Sequence, residues 1–379
     1  MENILDYRAK ALAMLACCTA VSVLVACTGV DYGYIDYGDG ADAPGHTDVL
    51  FSFDWGNLPV DEIPQACSIA MSRIVNEVHY TYVVDSQGNI MEGNEDESVE
   101  DDMQGRRPVS VLDGDYYAIA FGSAENGYTV NDLDVFRDDN SSGMKNLYAS
   151  LPVLTKDDVA EQLGEEPVDF NPSYKAVPAA APLYLSVRKM TLNSGEKASE
   201  VTFVPQDITV DLVIRVRIDV EEGVGIGGLL AELSGVPVKV PLMSGIVTGD
   251  DLGKVYFRME QLASDDQGIV FEGRVKALGL FTSQSASLVS GPGVLRLSVH
   301  AVSGENERKF YAGINLKRVI DEARLMVRTE DGTGYRTAMD EAVLDVDRAL
   351  TIKNGQVVSG GDDAMDGWFD TKTDIEVEV

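Results

Sequence analysis

The chain has 379 residues, with 30 Lys and Arg against 63 Asp and Glu, so its formal net charge is −33. A surface this acidic repels nucleic acid and anionic lipid, and no nucleic-acid partner is expected. Hydrophobic residues make up 45% of the chain. Since the chain is longer than one core usually covers, we expect two folded domains.

The first 26 residues have the pattern of a bacterial lipoprotein export signal. Arg8 and Lys10 form a short basic head, and an apolar run follows from Ala11. The run ends in the signal-peptidase recognition residues Leu24, Val25 and Ala26, directly before Cys27. In such signals the peptidase cuts before the cysteine and the thiol carries lipid. We therefore predict a signal peptide over residues 1–26 and lipidation at Cys27, with outer-membrane lipid as a partner.

A transmembrane helix and an ordinary secretory signal are the alternatives for this segment. The apolar run has about 16 residues and includes Thr19 and Ser22, whereas a bilayer span needs roughly 20. An ordinary signal would need a small-x-small cleavage site, which Val25-Ala26-Cys27 matches less well. The lipoprotein signal is therefore the preferred interpretation.

Residues 27–46 are predicted to form a flexible acidic tether. This stretch is rich in Gly, Asp and Tyr and has no apolar periodicity. Its acidic start resembles the surface-export signal of Bacteroides-group lipoproteins, and a plain polar linker is the alternative. Asp36, Asp39 and Asp42 lack the spacing of a known calcium loop.

After signal removal the chain keeps two cysteines, Cys27 and Cys67. If Cys27 carries lipid, no internal disulfide is available and hydrophobic cores must stabilise the fold. We expect Cys67 to be a buried small apolar residue, with a reactive thiol as the alternative.

Residues 47–195 are predicted to form an N-terminal domain of strands. Asp48 to Trp55 nearly alternate between apolar and polar residues, which indicates an opening strand with Trp55 buried. Ile74 to Val84 are rich in β-branched and aromatic residues and predict a second strand. The clearest helix spans Thr155 to Gly164, because Thr155 can cap it, two aspartates follow in its first turn, and Gly164 can stop it.

Residues 196–379 are predicted to form a C-terminal domain with more regular strands. Val210 to Ile218 alternate five apolar residues with mostly charged ones, which indicates a strand with one wet face. Gly223 to Gly228 follow and suggest a dinucleotide-binding loop, but a Rossmann first strand is apolar on both faces. We therefore expect a flexible connection there.

The remaining pattern is that of an all-β protein. Further strands alternate with turns, and Leu316, Val319, Ile320 and Ala323 have helical spacing. Many strands and few short helices predict two tandem antiparallel β-sandwich domains.

Nothing in the sequence indicates an enzyme, a cofactor or a metal site. Histidine occurs only as His46, His79 and His300, and neither a His-Glu-x-x-His pair nor a Gly-x-Ser-x-Gly elbow is present. We expect His79, inside a strand, to be a packed or edge residue. The abundant carboxylates leave a glycosidase pair open as an alternative. Asp362, Asp363 and Asp366 are interpreted as a solvated loop rather than a metal site.

Several motifs resemble one known family. They are Phe51-Ser52-Phe53-Asp54-Trp55, Leu112-Asp113-Gly114-Asp115-Tyr116-Tyr117, Val201-Thr202-Phe203-Val204-Pro205-Gln206-Asp207-Ile208-Thr209, Leu233-Ser234-Gly235-Val236 and Gly367-Trp368 with Asp374-Ile375. Their order resembles a Bacteroides-group surface lipoprotein family of unassigned function, which is itself similar to the fimbrillin-associated anchor proteins of type V pili. The resemblance implies tandem transthyretin-like sandwiches, anchored in the outer membrane and facing the cell exterior.

The resemblance also implies pilin-type protein partners and contacts made by strand addition. Asp374 to Val379 alternate as such a strand would, although closure of the chain's own domain is the preferred interpretation. Arg106-Arg107 is a candidate site for cleavage after arginine, with a plain dibasic pair as the alternative. The alternative function is a glycan-binding surface lipoprotein of a polysaccharide-uptake system, for which Trp368 is the candidate ligand platform.

Overall fold

The described part of the chain folds mostly into β-strands. A computed structural model describes residues 45–92, 107–123, 127–131, 133, 136, 143–167, 175–193, 199–220, 223–265, 268–285, 291–303, 306–353, 356–359, 368–370 and 375–376. The predicted signal peptide, Cys27, Arg106 and the Asp362–Asp366 loop lie outside these residues, as does nearly all of the tether. The predictions made for them remain predictions.

The strands in chain order are β1 (His46–Phe53), β2 (Ala66–Arg73), β3 (His79–Asp85), β4 (Ile90–Glu92), β5 (Val109–Leu112), β6 (Gly114–Gly122), β7 (Thr129–Val130), β8 (Tyr148–Ser150), β9 (Lys175–Ala176), β10 (Tyr184–Leu192), β11 (Ser199–Phe203), β12 (Gln206–Asp207), β13 (Val210–Val220), β14 (Gly225–Pro237), β15 (Lys239–Pro241), β16 (Leu252–Asp265), β17 (Gly268–Ala277), β18 (Val294–Ser303), β19 (Asn306–Asn315), β20 (Met326–Arg328), β21 (Tyr335–Thr337), β22 (Glu341–Lys353), β23 (Gln356–Ser359), β24 (Trp368–Asp370) and β25 (Ile375–Glu376). A 3-10 turn spans Met144–Asn146, and two α-helices are described, α1 (Lys156–Leu163) and α2 (Lys317–Ala323). The predicted all-β sandwich class with a few short helices is confirmed. Neither described α-helix is long and apolar enough to cross a bilayer.

Two facing sheets form the N-terminal sandwich. One has the strand order β11-β1-β5 and the other β12-β10-β6-β2-β3-β4. Val49 and Phe51 point from β1 into a core shared with Ile69 of β2 and Tyr116 of β6. Side chains alternate between the two faces of a strand, so the near-alternation seen in the sequence fixes which residues of β1 are buried. Trp55 lies beyond the last residue of this strand.

The Leu112 to Tyr116 turn joins β5 to β6 and contributes stability. Gly114 has φ 146°, which glycine tolerates, and a Cβ there would lie 2.6 Å from Nε of Arg73. The fully buried Tyr116 donates its hydroxyl to the carbonyl oxygen of Leu112 at 2.6 Å. Burial, followed by the neighbouring Tyr80, raises the pKa of Tyr116, so the hydroxyl stays protonated and keeps donating. This motif of the family resemblance is therefore structural.

The C-terminal strands form a large sheet in which the two parts of β16 pair with two different strands. Leu252–Met259 of β16 pair with β14, whereas Glu260–Asp265 pair with β17. The arm β22-β13-β17 and the arm β14-β18-β19 share one core. The five apolar residues predicted to share one face of β13 are fully buried in it: Val210, Leu212, Ile214, Val216 and Ile218. Arg215, on the opposite face of β13, is paired with Glu272 of β17 at 2.9 Å.

The glycine-rich stretch begins a strand, so our prediction of a flexible connection is wrong. β14 starts at Gly225, and its residues pair with β18 from there onward. A register shift between Ile226 and Gly228 accommodates the glycines. Leu229 to Leu233 are held between β16 and β18. Pairing with neighbouring strands therefore outweighs the weak strand preference of glycine.

The helix predicted from Thr155 to Gly164 is confirmed as α1. Thr155 and Asp158 form a reciprocal capping box, and Gly164 ends the helix with φ 72°. Val159 and Leu163 pack against Tyr256 on the outer face of the sheet. On the same face, Nζ of Lys254 donates to Glu232 at 2.8 Å, and the two side chains are only 3% and 11% exposed.

Strand pairing crosses the predicted boundary between residues 195 and 196. β11 and β12, from the predicted second domain, pair with β1 and β10. β8 and β9, from the predicted first domain, pair with β15 and β16. The described residues from His46 onward belong to one compact unit. Each predicted domain therefore contains strands that pair with strands of the other. The division into two domains remains a prediction.

Candidate functional site

The candidate site is a cleft where two strand edges face each other on the N-terminal sandwich. β12 pairs only with Tyr184 and Leu185 of β10, so from Ser186 to Leu192 the described ladder of β10 continues on its β6 side alone. β11 is an end strand that pairs with β1 on one side. Within the described residues, both strands therefore present backbone groups outside any ladder. Such edges can accept a further strand.

The cleft has a volume of about 610 Å³. Its lining combines three aliphatic residues, three uncharged polar residues and one cation: Leu185, Val187, Val204, Ser186, Thr202, Gln206 and Arg188. Val204 is 54% exposed and Val187 is 39% exposed. The described lining residues include no carboxylate, although the chain carries a net charge of −33. The cleft therefore offers apolar and hydrogen-bonding surface within an acidic protein.

Side chains, rather than a backbone ladder, connect the two edges. Arg188 of β10 donates to the carbonyl oxygen of Thr202 in β11. The backbone N–H of Val204 donates to Oγ of Ser186 at 3.2 Å. These bonds hold β10 and β11 close, while the backbone groups along their facing edges stay outside a ladder. The arrangement suits binding of an extended segment, and the described lining residues include no pair of groups for acid–base chemistry.

Trp55 is engaged by the protein itself. Its Nε1 donates to the carbonyl oxygen of Ser86 at 2.9 Å. Its ring stacks on Phe53 at 5.4 Å between centroids and meets Tyr184 edge-on at 5.7 Å. Burial, followed by nearby Asp207 and Glu62, raises the pKa of Tyr184 to about 12. The expected burial of Trp55 is thus partial, and its contacts are those of a packing residue.

Trp368, the candidate ligand platform, is described through its backbone. It begins β24 and stands opposite Ile314 of β19. Ile375 and Glu376 form β25 and pair with Lys309 and Arg308 of the same β19. This pairing favours closure of the chain's own sheet over strand donation for these two residues. The platform role of Trp368 remains a prediction.

Two other candidate residues, Cys67 and His79, are buried inside the fold. Cys67 is 2% exposed, and burial, with a contribution from Asp85, raises its pKa to about 12, as expected for a buried apolar residue rather than a reactive thiol. His79 is 6% exposed and its ring lies 4.2 Å from that of Phe136. Among the described residues, no group of three or more His, Cys, Asp or Glu side chains could hold a metal ion.

Sequence reasoning missed the cleft. Thr202 to Val204 lie within a motif of the family resemblance, and nothing in that motif indicates an edge. A strand becomes an edge only through its tertiary neighbours, so local periodicity carries no such signal. Pro205, which follows Val204 directly, was the nearest hint in the sequence, because proline ends ladder pairing.

Comparison with known proteins finds remote structural likeness only. Neither a family model nor a curated protein matches the sequence. A candidate adhesin from Bacteroides ovatus aligns with a TM-score of 0.47 and 11% identity, covering 85% of this chain and 98% of its own. A candidate polysaccharide-binding protein from Bacteroides thetaiotaomicron gives a TM-score of 0.42, 12% identity and coverages of 84% and 99%. The fimbrial anchor protein Mfa2 from Porphyromonas gingivalis gives a TM-score of 0.40, 11% identity and coverages of 82% and 91%. At these values the likeness is too remote to carry a conclusion about function.

Proposed function

We propose that this chain is a non-enzymatic, lipid-anchored cell-surface protein that serves as a fimbria-associated anchor or accessory adhesive subunit. Its lipid is attached at Cys27, it sits in the outer membrane facing the exterior, and it binds pilin-type partners by strand-mediated contacts. The facing edges of β10 and β11 are the single observation that carries the proposal.

The cleft supports binding of an extended polypeptide. A peptide laid along β10 or β11 would form backbone hydrogen bonds, which supply affinity for many different sequences. Val187 and Val204 offer apolar surface for alternate side chains of the added strand. Arg188 is the one cation among the described lining residues and favours a partner strand that carries a carboxylate.

The sequence supports the anchoring part of the proposal. The Leu24 to Cys27 pattern provides a lipid attachment point, and the acidic tether would hold the folded chain away from anionic headgroups. Incorporation of labelled palmitate tests this directly. We expect labelling of the wild type and none of Cys27→Ser, and equal labelling of both would exclude Cys27 as the attachment site.

Partner capture tests the strand-mediated part. We expect the chain to co-purify with a pilin-type protein from gently solubilised outer membranes. Val204→Asp puts a charge in the cleft and should abolish the association. Val327→Asp is the matched control, because Val327 is 53% exposed on β20 against 54% for Val204.

Two outcomes would contradict the proposal. The wild type could be recovered only as a free monomer under conditions that preserve pilus assemblies. Alternatively, Val204→Asp could retain as much partner as Val327→Asp, which would remove the cleft from the interaction.

A further inference from the structure

The outer face of β18 and β19 combines cations, hydroxyl groups and open space. Its cross-strand pairs are Arg296 with Gly313, Ser298 with Tyr311, and His300 with Lys309. We call these six residues the β18–β19 strip. The residues between them, such as Leu297 and Val299, are buried in the core. The strip therefore faces away from the sandwich core.

Arg296 is a half-buried cation whose neighbouring acid is already engaged. Glu232 stands opposite it on β14, but the Glu232 carboxylate accepts from Lys254 at 2.8 Å. Arg296 has no hydrogen bond or ion pair with any residue that the structure describes. A partly desolvated guanidinium without an anion is unfavourable, and a carboxylate is its best-matched partner. Arg296 thus retains unused binding capacity.

There is room beside Arg296 for a ligand. A Cβ placed on Gly313, directly opposite, would meet no atom within 4 Å. The same holds for Gly228 of β14, which stands opposite His300. The two glycines leave a shallow floor on which the half-buried Ser298 and Tyr311 place hydroxyl groups. A hydroxyl can both donate and accept, as recognition of a sugar requires.

Two other cations on this outer face of the sheet already pair with a carboxylate of the chain itself. Glu165, which follows α1, accepts from Lys309 at 2.9 Å and lies 3.4 Å from Arg258. These two cations are therefore largely neutralised within the chain. Arg296 is the cation of the strip that remains for an external carboxylate.

The strand order favours a saccharide over an acidic peptide. β18 lies between β14 and β19, and β19 in turn pairs with β24 and β25. Among the described residues, the β19 edge is paired at Ala312–Ile314 and at Arg308–Lys309, which leaves only Phe310 and Tyr311 between them outside a ladder, too short a stretch for a peptide to add itself as a strand. A ligand must be recognised by side chains alone, which suits a sugar ring bearing hydroxyls and one carboxylate.

We propose that the β18–β19 strip binds a carboxylated saccharide, with the carboxylate on Arg296 and the ring hydroxyls on Ser298 and Tyr311. This site lies on different strands from the β10–β11 cleft. Binding here depends neither on a pilus partner nor on lipidation.

Calorimetric titration of the purified full chain with trigalacturonate tests the proposal. Arg296→Gln should weaken binding by about tenfold or more, since it removes a charge-assisted pair. Arg296→Lys keeps the charge but loses the bidentate hydrogen bonding of the guanidinium group. The affinity of this variant for trigalacturonate should therefore fall between those of Arg296→Gln and the wild type. Arg318→Gln, an exposed arginine on α2, is the matched control and should bind as the wild type does. Neutral galactotriose should bind at least about tenfold more weakly than trigalacturonate.

Several results would overturn the proposal. One is no binding of trigalacturonate by the wild type up to about 10 mM. Another is equal loss of affinity in Arg296→Gln and Arg318→Gln. Equal affinity for galactotriose would exclude the carboxylate, and equal affinity for a tri-aspartate peptide would exclude the saccharide. Circular dichroism of each variant, together with the Arg296→Lys result, separates lost binding from lost folding.

Discussion

Removing the carboxylate of Glu232 should destabilise the fold far more than removing an exposed one. The Lys254 and Glu232 side chains are 3% and 11% exposed, and Nζ of Lys254 also lies 5.2 Å from the Tyr256 ring centroid. Glu232→Met would leave the ammonium group of Lys254 in this environment without its carboxylate. Breaking a buried pair in this way costs about 3–5 kcal/mol. With a urea slope of about 3 kcal/mol/M, the unfolding midpoint should fall by about 1–1.7 M.

Urea titration followed by circular dichroism measures this shift. The double variant Glu232→Met with Lys254→Met should recover most of the loss, because two apolar residues of similar length replace both charges. Glu322→Gln is the control, since the Arg318–Glu322 pair is 66% exposed on both sides and should change stability by less than about 1 kcal/mol. A midpoint shift for Glu232→Met no larger than that of the control would refute the reasoning. So would a double variant as unstable as the single one.

Three further predictions concern loops and buried groups. Gly88→Ala should destabilise the chain by about 1–3 kcal/mol, because Gly88 has φ 94° and an added Cβ would overlap the Phe51 carbonyl. Gly143→Ala, where a Cβ meets nothing within 4 Å, should be close to neutral in the same urea assay. Burial alone would raise the pKa of Asp85, but hydrogen bonds from its own loop lower it below the usual 3.8. This stabilisation is therefore present above pH 3.8 and is lost as pH falls through the lowered pKa, so the difference in melting temperature between wild type and Asp85→Asn should shrink in acid. Cys67 should react with iodoacetamide only after urea unfolding, and rapid labelling of the folded chain would contradict its burial.

Local sequence patterns predicted the elements whose signals lie entirely within their own residues. β13 alternates five core residues with more polar ones, and one wet face is enough to produce that alternation. α1 carries its start and stop signals within ten residues, from the Thr155 cap to Gly164. Both predictions needed no knowledge of distant partners.

Elements that depend on distant partners could not be predicted in this way. β14 is a strand because β16 and β18 flank it, although its glycines indicate a flexible connection. The β10–β11 cleft exists because β12 pairs with only two residues of β10. Arg296 pairs with no described residue, because Glu232, which stands opposite it, is engaged by Lys254 of β16. Each of these facts is set by pairing across the fold, which periodicity does not encode.

The position of β1 has a mechanical consequence. β1 is the first described strand, and it bonds to β5 through His46–Val49 and to the parallel β11 through Val49–Phe53. A force pulling on residue 46 along the strand axis would load both rows of backbone hydrogen bonds in shear. Because bonds loaded in shear must rupture together, rather than one after another as in peeling, the entry strand is well placed to bear tension. If the proposed lipid anchor holds the chain at Cys27, a pull by flow or by a partner would pass through β1, which has a neighbouring strand on each side.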